Sequence, residues 1–131
     1  PQVRALAAAH PGVTFVLDHF AGARIHADDH ADWRTQLEPV AALPNTVMKV
    51  SGYLTAADPM PPSIDTLRPF FETALDLFGP ARLMYGSDWP VCLRGGSYEA
   101  GVQMLQTLAG ALTLDEQLDL WGRTATKTYQ L

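Results

Sequence analysis

Three short, largely apolar runs recur along the chain: Val13–Leu17 (VTFVL), Thr46–Val50 (TVMKV) and Arg82–Tyr85 (RLMY). Runs this short, apolar on both alternating positions and rich in β-branched residues, predict strands covered on both faces. The segments between them carry helical signals. Gln2–Ala9 is rich in Ala and Leu and closes at His10-Pro11-Gly12, a helix-stop cluster. Trp33, Leu37, Val40 and Ala41 share one face of a second helix, with a kink expected at Pro39. A third is expected from about Ile64 to Phe78, with Ser63 as N-cap and Gly79-Pro80 as stop. Ser97 or Tyr98 opens a fourth that runs to about Leu112. Thr113 and Glu116 have the spacing of a capping box for a last helix, Leu114–Trp121. Strand and helix therefore alternate, with connections long enough for right-handed crossovers. That order predicts an α/β fold with a parallel sheet, as one domain over residues 1–131.

Composition narrows the function. The net charge is −5 and the basic residues are scattered, which leaves no footprint for nucleic acid. No apolar run approaches the roughly 18 residues of a membrane span. One cysteine, Cys92, rules out an internal disulfide framework and fits a reducing, cytoplasmic setting. The opening PQVRALAAAHPG reads as the end of a helix already under way, so upstream strands are expected to be missing.

In a parallel α/β fold the chemistry gathers where strands end. The three ends read Leu17-Asp18-His19, Lys49-Val50-Ser51-Gly52 and Gly86-Ser87-Asp88. Burying such groups costs several kcal/mol unless they are paired or bind a ligand. Alternation puts Lys49 with Val47 and Ser51, away from Met48 and Val50. Asp88 shares a face with Met84 and Gly86, and the glycine leaves space beside the acid. His19 shares a face with Phe15 and Leu17, and Asp18 points the other way. If the inward faces converge, an imidazole, an ammonium and a carboxylate surround one cavity. Such a set polarises a carbonyl, holds an anionic group and activates water. Taken singly, each has a bland reading: a satisfied buried histidine, a structural ion pair, and an acid that caps the turn before Trp89-Pro90.

The stretches VLDH (Val16–His19), LPNTVMKVSG (Leu43–Gly52), FGPARLMYGSDWPV (Phe78–Val91) and WGRTATKTYQL resemble the amidohydrolase-related sugar lactonases and 2-pyrone-4,6-dicarboxylate lactonases. The resemblance covers essentially the whole chain but only the C-terminal half of that family's (β/α)8 barrel, about its last three strand–helix units. It implies that His19 binds metal or the substrate carbonyl. It also implies that Asp88 is the general base on the attacking water and can touch a metal. Lys49 matches the lysine of the family's KxSG strand, with Ser51 beside it, and both are taken as substrate-binding. The family's His-x-His pair belongs to a first strand that this chain lacks. A divalent metal, zinc or manganese, is implied, although some relatives need none. The tail has threonine where many relatives have asparagine, a difference that concerns packing.

Other groups are read on their own chemistry. HADDH (His26–His30) suits a metal only if helical, and a solvated polar turn is the expected state. Cys92 has no partner histidine nearby and reads as a small hydrophobe. Trp89 is expected to form pocket wall. Arg94, in Arg94-Gly95-Gly96, either holds a substrate carboxylate or belongs to a flexible loop. Phe70 and Phe71 are core. The resulting expectation is a hydrolase that opens a small lactone at the barrel mouth. The alternatives are a decarboxylase or hydratase of the same superfamily, or a non-catalytic barrel fragment. Three strands cannot close a barrel, and open edges invite pairing. The partners expected are a small-molecule substrate, with a second copy or a complementing N-terminal half.

Overall fold

The structure, a computed structural model, describes residues 2–131. Helix α1 (Gln2–Ala9) leads into strand β1 (Phe15–Leu17), and helix α2 (His30–Ala41) into β2 (Thr46–Val50). Helix α3 (Ile64–Phe78) precedes β3 (Leu83–Tyr85), and α4 (Tyr98–Leu108) follows it. The chain closes with α5 (Leu114–Leu118), a π turn (Asp119–Arg123) and α6 (Thr124–Tyr129). The three strands form one parallel sheet in the order β1-β2-β3. The expected α/β architecture with a parallel sheet and flanking helices is what the chain adopts.

Register divides the sheet into two faces. Leu17 pairs with Met48 and Met48 with Leu83, and this row belongs to the main core with Leu67, Phe70, Phe71 and Phe78. Val16, Val47, Lys49 and Met84 occupy the opposite face. Phe70 and Phe71 are the expected core pair, at 0% and 1% exposure.

Local caps agree with the sequence signals. The Ser63 hydroxyl accepts from Thr66 N, and Gly79 ends α3 at φ 69°, a left-handed position that favours glycine. Ser97 caps α4 through Ala100 N. Thr113 and Glu116 form the reciprocal box that opens α5.

Four expectations need correction. β1 begins at Phe15, and its three residues are half-buried rather than covered on both faces, because β1 pairs on one side only. Arg82 lies in a 3-10 turn ahead of β3. There its guanidinium reaches the carbonyls of Phe78, Leu77, Ala41, Leu43 and Thr46. The fourth helix gives way at Ala109–Ala111 to a 3-10 turn. The last helix does not stop at Trp121 but continues to Tyr129 through the π turn. That segment runs along the outer edge of β3. Trp121 packs on Tyr85 at 4.8 Å, and Tyr129 reaches Lys49 on the other face.

Candidate active site

The site is built on the loops that leave each strand. After β1 the backbone turns left-handed at His19, Phe20, Ala21 and Gly22, with φ of 53°, 48°, 55° and 76°. Three of these residues carry a Cβ, and each such residue costs about 1–2 kcal/mol in this conformation. The cost is offset at Phe20, whose ring is buried against Trp33 and Tyr53. The Phe20 carbonyl accepts from Trp33 Nε1 at 2.8 Å. The turn lifts His19 off the alternation that would have sent it to the helix side with Leu17. Its imidazole goes to β2 and β3 instead.

His19 Nδ1 lies 2.9 Å from Ser51 Oγ, a hydrogen bond. His19 Nε2 lies 3.8 Å from Asp88 Oδ1. The Ser51 side chain is buried at 1% exposure, whereas the imidazole is half-exposed and Asp88 largely covered. Asp88 is itself left-handed at φ 57°, a conformation that Asp tolerates better than most residues. The separation of 3.8 Å exceeds a hydrogen bond, so imidazole and carboxylate stand side by side, each able to engage one common atom.

Two glycines make this approach possible. A Cβ on Gly52, which has φ +71°, would come within 2.9 Å of His19 Cβ and 3.1 Å of Nδ1. A Cβ on Gly86 would meet Ser51 Cβ at 3.1 Å and Lys49 Cδ at 3.7 Å. The space beside the acid is therefore taken up by Ser51 and Lys49.

Lys49 is held differently. Its ammonium pairs with Asp18 Oδ1 at 2.8 Å and lies 5.5 Å from the Tyr129 ring centre. The hydrogen bond to Asp18 is the main reason that its pKa rises above the ordinary 10.5; Tyr129 adds to the rise and burial opposes it. Lys49 therefore remains an ammonium at neutral pH. Asp18 and Tyr129 are the residues that sequence reasoning missed. The signal for Asp18 was present, since it points opposite to His19 and so joins the Val16–Val47–Lys49 face.

The remaining candidates fall outside the cluster. Trp89 is 65% exposed, and Arg94 is exposed at the end of the turn Val91–Arg94. That turn is packed rather than loose, because Gly95 lies so close to the Leu54 carbonyl that no Cβ would fit. Cys92 is buried and unpaired within the core. The HADDH histidines part company. His30 Nε2 donates to the Pro69 carbonyl at 3.1 Å and touches Thr73 Oγ1 at 2.8 Å, tying α2 to α3. His26 instead accepts from Asp28 N. A cavity of about 680 Å³ is lined by Val16, Asp18, Trp33 and Leu37, and Asp18 is the residue it shares with the site.

Residues 1–131 match the family model described as Amidohydrolase. The chain belongs to the amidohydrolase family. It is 40% identical over 141 residues to an L-fucono-1,5-lactonase of Burkholderia multivorans, covering 100% of this chain and 48% of that protein. It superposes with TM-score 0.93 and 38% identity on a crystal structure of an amidohydrolase from Burkholderia multivorans with bound zinc. That match covers 100% of this chain and 49% of the other. A putative 2-pyrone-4,6-dicarboxylic acid hydrolase from Pseudomonas putida shares the fold at TM-score 0.69 and 23% identity, over 97% of this chain and 47% of that one. The chain thus spans about half the length of the relatives it matches. Its three strands and flanking helices correspond to the C-terminal part of the amidohydrolase barrel. None of the described residues forms a helix long and apolar enough to cross a membrane.

An imidazole nitrogen and a carboxylate oxygen suit zinc or manganese, and Nε2 is the ring nitrogen that Ser51 leaves unengaged. These two fit such a cation as part of a larger donor set. Among the described residues no group of three or more His, Cys, Asp or Glu side chains is placed to hold one.

Proposed function

We propose that the protein carrying this chain hydrolyses a small lactone, of the sugar-acid kind named for its Burkholderia relative. The observation that carries this reading is the pair formed by His19 Nε2 and Asp88 Oδ1, 3.8 Å apart at the strand ends. Asp88 takes a proton from water as the water oxygen bonds to the lactone carbonyl carbon. His19 faces the oxygen that gains charge and stabilises it there. As the tetrahedral centre collapses, the ring C–O bond breaks and the proton held by Asp88 goes to the departing oxygen. The product is the open hydroxy acid. Lys49, kept cationic by Asp18, holds a hydroxyl or carboxylate of the substrate, with Ser51 on the same face.

Zinc or manganese, when bound by His19 and Asp88 with further donors, lowers the pKa of water and polarises a carbonyl. The partner expected at the open edge of β1 is the other half of such a barrel, or a second copy, and those further donors would come with it. A cytoplasmic setting goes with an unpaired cysteine.

A panel of sugar-acid lactones, followed by proton release with and without chelator, tests the reading on the full-length protein. The expected result is turnover of at least one lactone, and a loss of at least 10³-fold in kcat on Asp88→Asn with the fold intact; this is about 4 kcal/mol of barrel-mouth chemistry. Undiminished hydrolysis by Asp88→Asn would remove Asp88 as base, and release of carbon dioxide instead of acid would point to the decarboxylase alternative.

A further inference from the structure

We propose that Ser51 is a positioning residue for His19, and not itself a substrate contact. It holds the ring by Nδ1 so that Nε2 is the nitrogen beside Asp88. This deepens the lactonase reading, and its kinetic arm rests on it. Three observations converge. Ser51 is buried at 1% exposure, so its hydroxyl is ill placed to meet a substrate arriving from solvent. Its hydrogen-bond partner among the described side chains is His19 Nδ1, at 2.9 Å. The surroundings are shaped to that pair: Gly52 lies against the imidazole and Gly86 against the Ser51 Cβ, each so close that an added Cβ would press on it.

The hydroxyl is well suited to the task. The backbone turn at His19–Gly22 fixes where the ring starts, but leaves rotation about the side-chain torsions free. A hydrogen bond at Nδ1 removes that freedom. A serine hydroxyl both donates and accepts, so it holds Nδ1 whether that nitrogen is bare or protonated. Nε2 then faces Asp88 in either tautomer, as a donor to a developing oxyanion or as a lone pair toward a cation. A carbonyl or carboxylate in the place of Ser51 would allow only one of these. Ligating histidines are commonly oriented through their second nitrogen in this way.

The test compares Ser51→Ala and Ser51→Thr in the full-length protein. The threonine keeps the hydroxyl and adds one methyl group at a buried position, and the ring shift reads directly whether the bond to Nδ1 survives it. Nitrogen-15 NMR of the imidazole reads the ring without any substrate. In the wild type and in Ser51→Thr, His19 is expected to show one dominant ring environment, with the Nδ1 shift of a hydrogen-bonded nitrogen. In Ser51→Ala that shift is expected to move to the value of an unbonded ring. In kinetics, Ser51→Ala is expected to lower kcat 10- to 100-fold with KM within about threefold, and Ser51→Thr to restore most of it. Unchanged Nδ1 shifts in Ser51→Ala would overturn the proposal. A rise in KM with kcat unchanged would also overturn it, and would return Ser51 to substrate binding. If the wild type opens no lactone, the lactonase reading fails, and the NMR arm still decides the role of Ser51.

Discussion

Arg82 offers the sharpest stability test, because it joins the elements that carry the site. Its Nε donates to the Phe78 carbonyl at 3.0 Å and its Nη2 to Leu77 at 3.1 Å, both in the last turn of α3. Nη1 faces Ala41 at 2.9 Å, Leu43 at 3.1 Å and Thr46 at 3.3 Å, spanning the end of α2 and the start of β2. One guanidinium therefore satisfies orphan carbonyls at two helix C-termini, where a cation is also favoured by the helix dipole. The two Nη1 hydrogens are shared among three acceptors, so four hydrogens carry the interaction. At about 1 kcal/mol for each in a partly exposed group, they amount to roughly 4 kcal/mol. Because the two Nη1 hydrogens are split among three acceptors, the lower part of the range for such bonds applies, about 2–3 kcal/mol net of desolvation. Arg82→Met keeps an unbranched apolar stem and removes every donor, together with the guanidinium that lies 5.1 Å from the Phe78 ring centre. In urea unfolding followed by tryptophan fluorescence, the midpoint should fall by about 1–2 M at unchanged slope. Arg82→Lys should recover less than half, because an ammonium is a point donor and cannot span both helix ends. A midpoint within about 0.3 M of wild type for Arg82→Met would refute the reasoning and make the five carbonyls water-satisfied.

Trp33→Phe deletes the indole donor to the Phe20 carbonyl and should destabilise by about 1–2 kcal/mol. Amide exchange at Phe20–Ala23 should rise more than exchange in β2, and a uniform rise across the sheet would contradict a local role for that bond. The raised pKa of Lys49 has a definite sign: the Asp18–Lys49 pair stabilises fully below 10.5, the ordinary lysine value, and is lost as pH climbs through the higher folded value. Unfolding midpoints measured from pH 9 upward should therefore fall more for the wild type than for Asp18→Asn, and parallel curves would dismiss the pair as a stabilising element.

Much of the frame was legible because its signals are local. Thr46–Val50 is a strand over the expected residues, since an apolar β-branched run ending at Ser51-Gly52 has few other options. Ile64–Phe78 could be bounded at both ends because Ser63 and Gly79 act within one turn of the helix. The misses are of two kinds. Gly122 and the alternating Thr124, Thr126 and Thr128 lower helix propensity, so the sequence pattern ends the terminal helix at Trp121. Its packing along β3, with Trp121 on Tyr85, overrides that preference. The left-handed turn was hidden because of its four residues only Gly22 advertises positive φ. Its stability comes from Trp33, thirteen residues on. Alternation places Asp18 on the correct face but gives it no partner, because pairing it with Lys49 requires the register of β1 on β2.

These two kinds of miss have a common origin in how the sheet is used. The face toward the helices is set by side chains that need only be apolar and of suitable volume, and such a requirement shows in a sequence as pattern. The opposite face carries Lys49, Ser51 and the groups at the strand ends, and there each position depends on one particular partner from another element. His19 is the clearest case. Alternation alone would have buried it with Leu17 among the helices. Only the strained turn brings it to Ser51 and Asp88, and that turn persists because Phe20 is anchored on the helix side. Strain held at a site by packing elsewhere is a recognised mark of function. Here the anchoring contacts and the strained residue are adjacent in sequence, so a change that loosens Phe20 reaches the imidazole one residue away.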